Sequence, residues 1–112
     1  MRNQEFLYEV MEFLSSMDYV ILIEELQNDP TRLKIKVNLK NDYILEIRNN
    51  QQSSTLSFCL LKNQERIWGL DYDFIRDWHI HPIDNPNKHI KISPKTIKEI
   101  LNILNIVVRK LI

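Results

Sequence analysis

Apolar positions near the start of the chain recur at helical spacing. Phe6, Val10, Phe13, Leu14 and Met17 form one stripe, with Glu5, Glu9 and Glu12 on the other side. Asn3 is a suitable N-cap, so the pattern predicts a helix from Asn3 to about Ser16 with Glu5 in its first turn. A second stripe, Ile97, Ile100, Leu101, Leu104, Val107, Val108 and Leu111, predicts a C-terminal helix. Ser93-Pro94 reads as its start, a capping serine followed by proline at the first helical position.

Between the stripes the period falls from 3.6 to two. Tyr19–Leu26 is a short apolar, β-branched run bounded by Asn28-Asp29-Pro30, which predicts a buried strand. Leu33, Ile35, Val37 and Leu39 alternate with Lys34, Lys36, Asn38 and Lys40, a half-buried strand with a basic outer row. Asn41-Asp42 predicts a two-residue turn into a partner strand, Tyr43–Arg48. Leu56–Lys62, Arg66–Tyr72, Trp78–His81 and His89–Ile92 complete the series, with Asn63–Glu65 and Asp84–Asn87 as turns. Trp68, Leu70 and Tyr72 share one face, and Gly69 between them suggests a bulge or a close backbone approach. The fold class expected is α+β: a largely antiparallel sheet of five to seven strands with an N-terminal and a C-terminal helix. The 112 residues suit a single domain, 1–112.

The formal net charge is zero, but its distribution is uneven. Residues 1–29 carry seven acids and one base, −6, and residues 30–112 carry fourteen bases and eight acids, +6. Such a split fits a polyanion-binding face that leaves one side uncommitted, or two solvated faces of opposite sign. The lysines of the basic row, Lys34, Lys36 and Lys40, can track a phosphate backbone or can protect a sheet edge. A single cysteine, Cys59, excludes an internal disulfide and a cysteine zinc cluster, and its apolar strand (FCLL) predicts a buried, inert thiol. A single glycine excludes the phosphate-binding loop and the dinucleotide fingerprint. No apolar run reaches the roughly 20 residues of a membrane span, and the N-terminus has no export-signal pattern. A cytoplasmic location away from membranes is therefore expected.

The chemistry concentrates in Arg66–His89 (RIWGLDYDFIRDWHIHPIDNPNKH), which holds all three histidines and both tryptophans. On a strand, His79 and His81 project to one face about 6–7 Å apart. Two imidazoles at that spacing suit a metal-independent ribonuclease. One removes the ribose 2′-hydroxyl proton, and the other protonates the leaving 5′-oxygen. Asp71 or Asp73 orients an imidazole. Arg66, Arg76 or Lys91 supplies positive charge to the phosphate. His89 shares its parity with Lys91 and can join the same face, while Lys34 and Lys36 are candidate contacts along the RNA. No cofactor is expected. Other readings fit the same residues: a zinc or manganese site, an inert solvated strand face, or a non-catalytic module binding RNA or a protein. Trp68, Tyr72 and Trp78 read as core residues in preference to base-stacking platforms.

The order of these pieces resembles the TumE-like toxins of prokaryotic toxin–antitoxin pairs. The matching segments are Arg66-Ile67-Trp68-Gly69-Leu70-Asp71, then Trp78-His79-Ile80-His81-Pro82, then Ser93-Pro94 and the final helix. The likeness spans about residues 31–105, and Asp71, His79 and His81 match the family's pattern. The resemblance implies a toxin acting on RNA and neutralised by an antitoxin protein encoded beside it. A homodimer is a further expectation, since a free sheet edge and an apolar C-terminal helix both invite pairing.

Overall fold

The computed structural model describes residues 3–112. Arg2, the one base in the acidic start, lies outside them. Helix α1 spans Asn3–Ser15 and buries Phe6, Val10 and Leu14, the stripe the sequence marks. Asn3 does more than begin it. Its side-chain amide donates to the Asp29 carbonyl (3.0 Å), and its Oδ1 accepts from the Asn49 amide (3.0 Å). The helix start is thereby tied to the sheet.

Seven strands follow: β1 (Val20–Asn28), β2 (Arg32–Leu39), β3 (Tyr43–Asn50), β4 (Thr55–Lys62), β5 (Glu65–Asp73), β6 (Asp77–His81) and β7 (Ile90–Lys91). Each pairs antiparallel with the next, so spatial order equals chain order. Helix α2 (Ile97–Leu111) returns beside α1. Together the helices cover the sheet face formed by Leu33, Ile35, Val37, Leu45, Ile47, Phe58, Leu60, Trp68 and Leu70. This α+β architecture has the upper number of strands expected.

The differences from expectation have local causes. Helix α2 starts at Ile97 and not at Pro94, because Thr96 and Glu99 form a capping box. The Thr96 hydroxyl accepts from Glu99 N–H (3.2 Å) and the Glu99 carboxylate from Thr96 N–H (3.0 Å), satisfying two donors that Ser93 would leave unpaired. Strand β1 is the sheet edge and not a buried strand. Register irregularities at Val20/Leu22 and Glu25/Gln27 break its alternation, leaving Ile21, Leu22 and Leu26 exposed. Strand β2 therefore lies inside the sheet, so Lys34 and Lys36 are not edge protection. The β2–β3 connection is a three-residue turn, Lys40–Asp42, with Asn41 and Asp42 both in the left-handed region. Asn and Asp tolerate that conformation better than most residues.

One irregularity shapes the site. In the β4–β5 pair Leu60 faces Trp68 but Leu61 faces Arg66, so Ile67 is an extra residue. Simple alternation would place Arg66 with Trp68 against the helices. The bulge puts Arg66 opposite Leu61, on the face away from them.

Candidate functional site

The side of the sheet away from the helices carries two cross-strand rows. One runs Lys34, Arg48, Ser57, Asp71, His79, Lys91 and the other Lys36, Glu46, Cys59, Gly69, His81. Pairing alone brings His79 opposite Asp71 and His81 opposite Gly69. After β6 the chain turns at Pro82–Lys88, held by Asn85 N–H to the Pro82 carbonyl (3.2 Å) and Lys88 N–H to the Asn85 carbonyl (3.0 Å). His89 then completes a group of three imidazoles, whose ring centroids lie 4.6–5.3 Å apart.

His79 and His81 are each only 2% exposed, although they lie on the sheet face opposite the helices. Each ring is held from behind by a backbone carbonyl. His79 Nδ1 lies 2.8 Å from the Asp77 carbonyl and His81 Nδ1 2.9 Å from the Pro86 carbonyl. A carbonyl oxygen only accepts, so both Nδ1 atoms carry the hydrogen and donate it. The opposite nitrogens converge on one oxygen. Asp71 Oδ2 is 3.0 Å from His81 Nε2 and 3.6 Å from His79 Nε2. The other oxygen, Asp71 Oδ1, is buried with no hydrogen-bond partner among the described residues. Burial, and then the Arg66 guanidinium, pushes His81 below its ordinary value; the Pro86 carbonyl and Asp71 pull it partly back.

The lone glycine is part of this arrangement. A Cβ on Gly69 would sit 3.2 Å from His81 Cδ2, so the backbone there makes room for the ring. Of the two interpretations of Gly69, close approach is the one seen, and the bulge falls two residues earlier.

The expected site residues divide into two groups. His79, His81 and His89 come together with Asp71 against the first two, and Arg66 Nη1 stands 3.8 Å from Asp71 Oδ2. Lys91 pairs in register with His79 and is exposed. Asp73 and Arg76 belong elsewhere. Asp73 Oδ1 accepts from Ile75 N–H (2.9 Å) and Arg76 N–H (2.6 Å), forming the β5–β6 turn. Those backbone donors hold its carboxyl below the usual range, and Arg76 lies 3.8 Å from the same side chain. Lys34 and Lys36 share the face of the cluster but stand on β2, three strands from β5. Arg48, beside Lys34, is ion-paired to Glu46 at 3.0 Å.

Cys59 lies on this outer face and not in the core. It is half-buried beside Gly69, and burial pushes its thiol up, which keeps it a poor nucleophile. Trp68 and Trp78 pack with the core as expected, and Tyr72 contacts Trp78 at 5.2 Å between centroids. A separate groove on the helix side, lined by Phe6, Phe13, Trp78 and Leu101 with Glu12 and Lys95 at its rim, includes none of the cluster residues.

Alternation showed the His-x-His pair but not what holds it. The carbonyls of Asp77 and Pro86 and the bulge at Ile67 leave no mark in side-chain pattern. The glycine opposite a histidine was the available signal. Comparison of the chain with models of known protein families, with curated proteins and with solved structures finds no match. The TumE-like resemblance thus stands on its motif residues alone. No helix among the described residues is long and apolar enough to cross a membrane.

Proposed function

We propose that the chain is an RNA-cleaving toxin of a toxin–antitoxin pair, acting in the cytoplasm through the Asp71–His79–His81–His89 cluster. One observation carries this reading: cationic residues of three strands share the outer face with the cluster. Lys34 and Lys36 stand on β2, Arg66 on β5 and Lys91 on β7, while the acidic helix α1 lies on the opposite layer. With strands about 4.8 Å apart, Lys34 is about 14 Å from Asp71 across the sheet, so one extended strand of RNA can touch both. RNA brings its own nucleophile, the 2′-hydroxyl. The cluster would manage its proton, and Arg66 and Lys91 would meet the phosphate charge. The toxin reading carries an antitoxin protein and a homodimer as partners, and the free β1 edge supports the second.

The alternative is a non-catalytic module that binds RNA or a protein on this face. The burial of His79 and His81 favours it, since neither ring meets solvent in this conformation. End-labelled single-stranded RNA incubated with the purified protein separates the two. The toxin reading expects cleavage that disappears in His79→Ala/His81→Ala, with circular dichroism confirming the fold. It also expects RNA affinity to fall in Lys34→Gln/Lys36→Gln, with a shallower salt dependence. Binding without cleavage assigns the face to the module.

A further inference from the structure

Two imidazole nitrogens and a carboxylate oxygen meet at the centre of the cluster, the closest contact being His81 Nε2 to Asp71 Oδ2 at 3.0 Å. His79 and His81 have each committed Nδ1–H to a carbonyl, so in the neutral rings both Nε2 atoms are bare lone pairs. Both face Asp71 Oδ2, itself an acceptor, at 3.0 and 3.6 Å. Acceptors facing acceptors in a buried place repel unless something positive stands between them. Asp71 Oδ1 adds a further unpartnered acceptor at the same spot.

We propose that this cluster is a binding site for a divalent transition-metal ion, held by Asp71, His79 and His81 with His89 as the solvent-side donor. The distances suit it. Zinc–nitrogen and zinc–oxygen bonds of about 2.0–2.2 Å put neighbouring ligand atoms about 3.3–3.6 Å apart in a tetrahedron, and about 2.8–3.1 Å apart in an octahedron. The 3.0 Å separation falls in the octahedral range and the 3.6 Å separation at the top of the tetrahedral one. One ligand atom from each of the three histidines lies within 4.8 Å of the others, while Asp71 falls outside that set and meets His79 and His81, so the exposed His89 must swing inward to complete a site that includes the carboxylate. The carbonyls behind the rings are the outer partners such ligands use, since they fix the tautomer that leaves Nε2 free. Nitrogen and carboxylate donors without thiolate suit zinc, manganese or iron. Arg66 at 3.8 Å from Asp71 Oδ2 is the nearest opposing charge; it is too far to donate a hydrogen bond and stands toward solvent.

The site deepens the RNA reading and rests on it only for its chemical role. A water on such an ion would lose its proton near neutral pH and would serve as the base in place of an imidazole. Metal binding itself needs no RNA. The test is calorimetric titration of tag-free, chelator-treated protein with Zn²⁺, repeated with Co²⁺ for its visible bands. The expected result is one ion per chain, with affinity at least about tenfold weaker in Asp71→Asn and in His89→Ala. His89 is exposed, so its replacement keeps the test valid if Asp71→Asn misfolds. Absence of stoichiometric binding, or equal affinity in wild type and both variants, overturns the proposal. Zinc binding without RNA cleavage rejects the ribonuclease and keeps the metal site. Cleavage that persists in chelator, with no zinc binding, does the reverse.

Discussion

Replacing Gly69 by alanine puts a methyl carbon 3.2 Å from His81 Cδ2, while its next contacts, Arg66 Cδ and the Phe58 carbonyl, stay at an ordinary 3.5 Å. The ring must give way by a few tenths of an ångström. It has little freedom to do so, because Nδ1 is tied to Pro86 at 2.9 Å and Nε2 faces Asp71 at 3.0 Å. Overpacking of this kind costs about 1–3 kcal/mol. Against it stands the gain from removing a glycine from a strand, about 0.5–1 kcal/mol, since Gly69 has no positive φ that alanine would resist. The net expectation is a loss of about 0–2.5 kcal/mol.

The control is the same substitution without the ring. In a His81→Ala background the tight contact is gone, so Gly69→Ala should stabilise by about 0.5–1 kcal/mol. The sign changes between backgrounds, and the coupling energy is about 1–3 kcal/mol. Urea unfolding of the four proteins, followed by circular dichroism, gives these values from the midpoints provided the slopes agree. An equal penalty for Gly69→Ala in both backgrounds would refute the reasoning that the glycine exists to seat His81.

Two further expectations concern the frame. Thr96→Ala removes one half of the α2 capping box and should cost about 1 kcal/mol at neutral pH. Glu99 is held below its ordinary value by the Thr96 N–H and hydroxyl. A depressed carboxylate stabilises above its unfolded pKa and loses that contribution as pH falls through the folded one. Glu99→Gln should therefore be less stable than wild type at pH 7 and converge with it in acid, as thermal melts across pH will show. Leu104→Ala, in the fully buried face of α2, should cost about 2–5 kcal/mol. Phe74→Ser and Ile75→Ser, 87% and 91% exposed at the β5–β6 tip, should each move stability by less than about 0.5 kcal/mol in the same denaturant assay.

Period and turn chemistry carried most of the fold into the sequence. The α1 and α2 stripes, the alternation of β2, and the order of the meander all follow from which residues need burial. The errors arose where backbone hydrogen bonds compete with side-chain pattern. Ser93-Pro94 looks like a helix start, but the reciprocal bonds of Thr96 and Glu99 decide the position. The apolar Tyr19–Leu26 run looks buried, yet irregular register and an edge position expose much of β1. Within the site, strand parity placed His79 and His81 on one face and left Asp71 and Asp73 equivalent. The β5–β6 turn separates them by using the Asp73 carboxylate for its own N–H groups.

Four local features act on the same few atoms, and that convergence is what distinguishes the cluster from an ordinary solvated strand face. The Ile67 bulge brings Arg66 out to within 3.8 Å of Asp71. The glycine at 69 leaves space for the His81 ring. The Asp77 and Pro86 carbonyls, the second on the returning segment, fix both buried tautomers. An inert histidine on a strand surface requires none of these, because water satisfies its nitrogens without cost. Buried polar groups are costly when incompletely paired, and here Asp71 Oδ1 has no hydrogen-bond partner among the described residues. Three imidazoles gathered around a carboxylate with one buried oxygen left unpaired among the described residues are what a ligand-binding point needs and what the sheet itself does not.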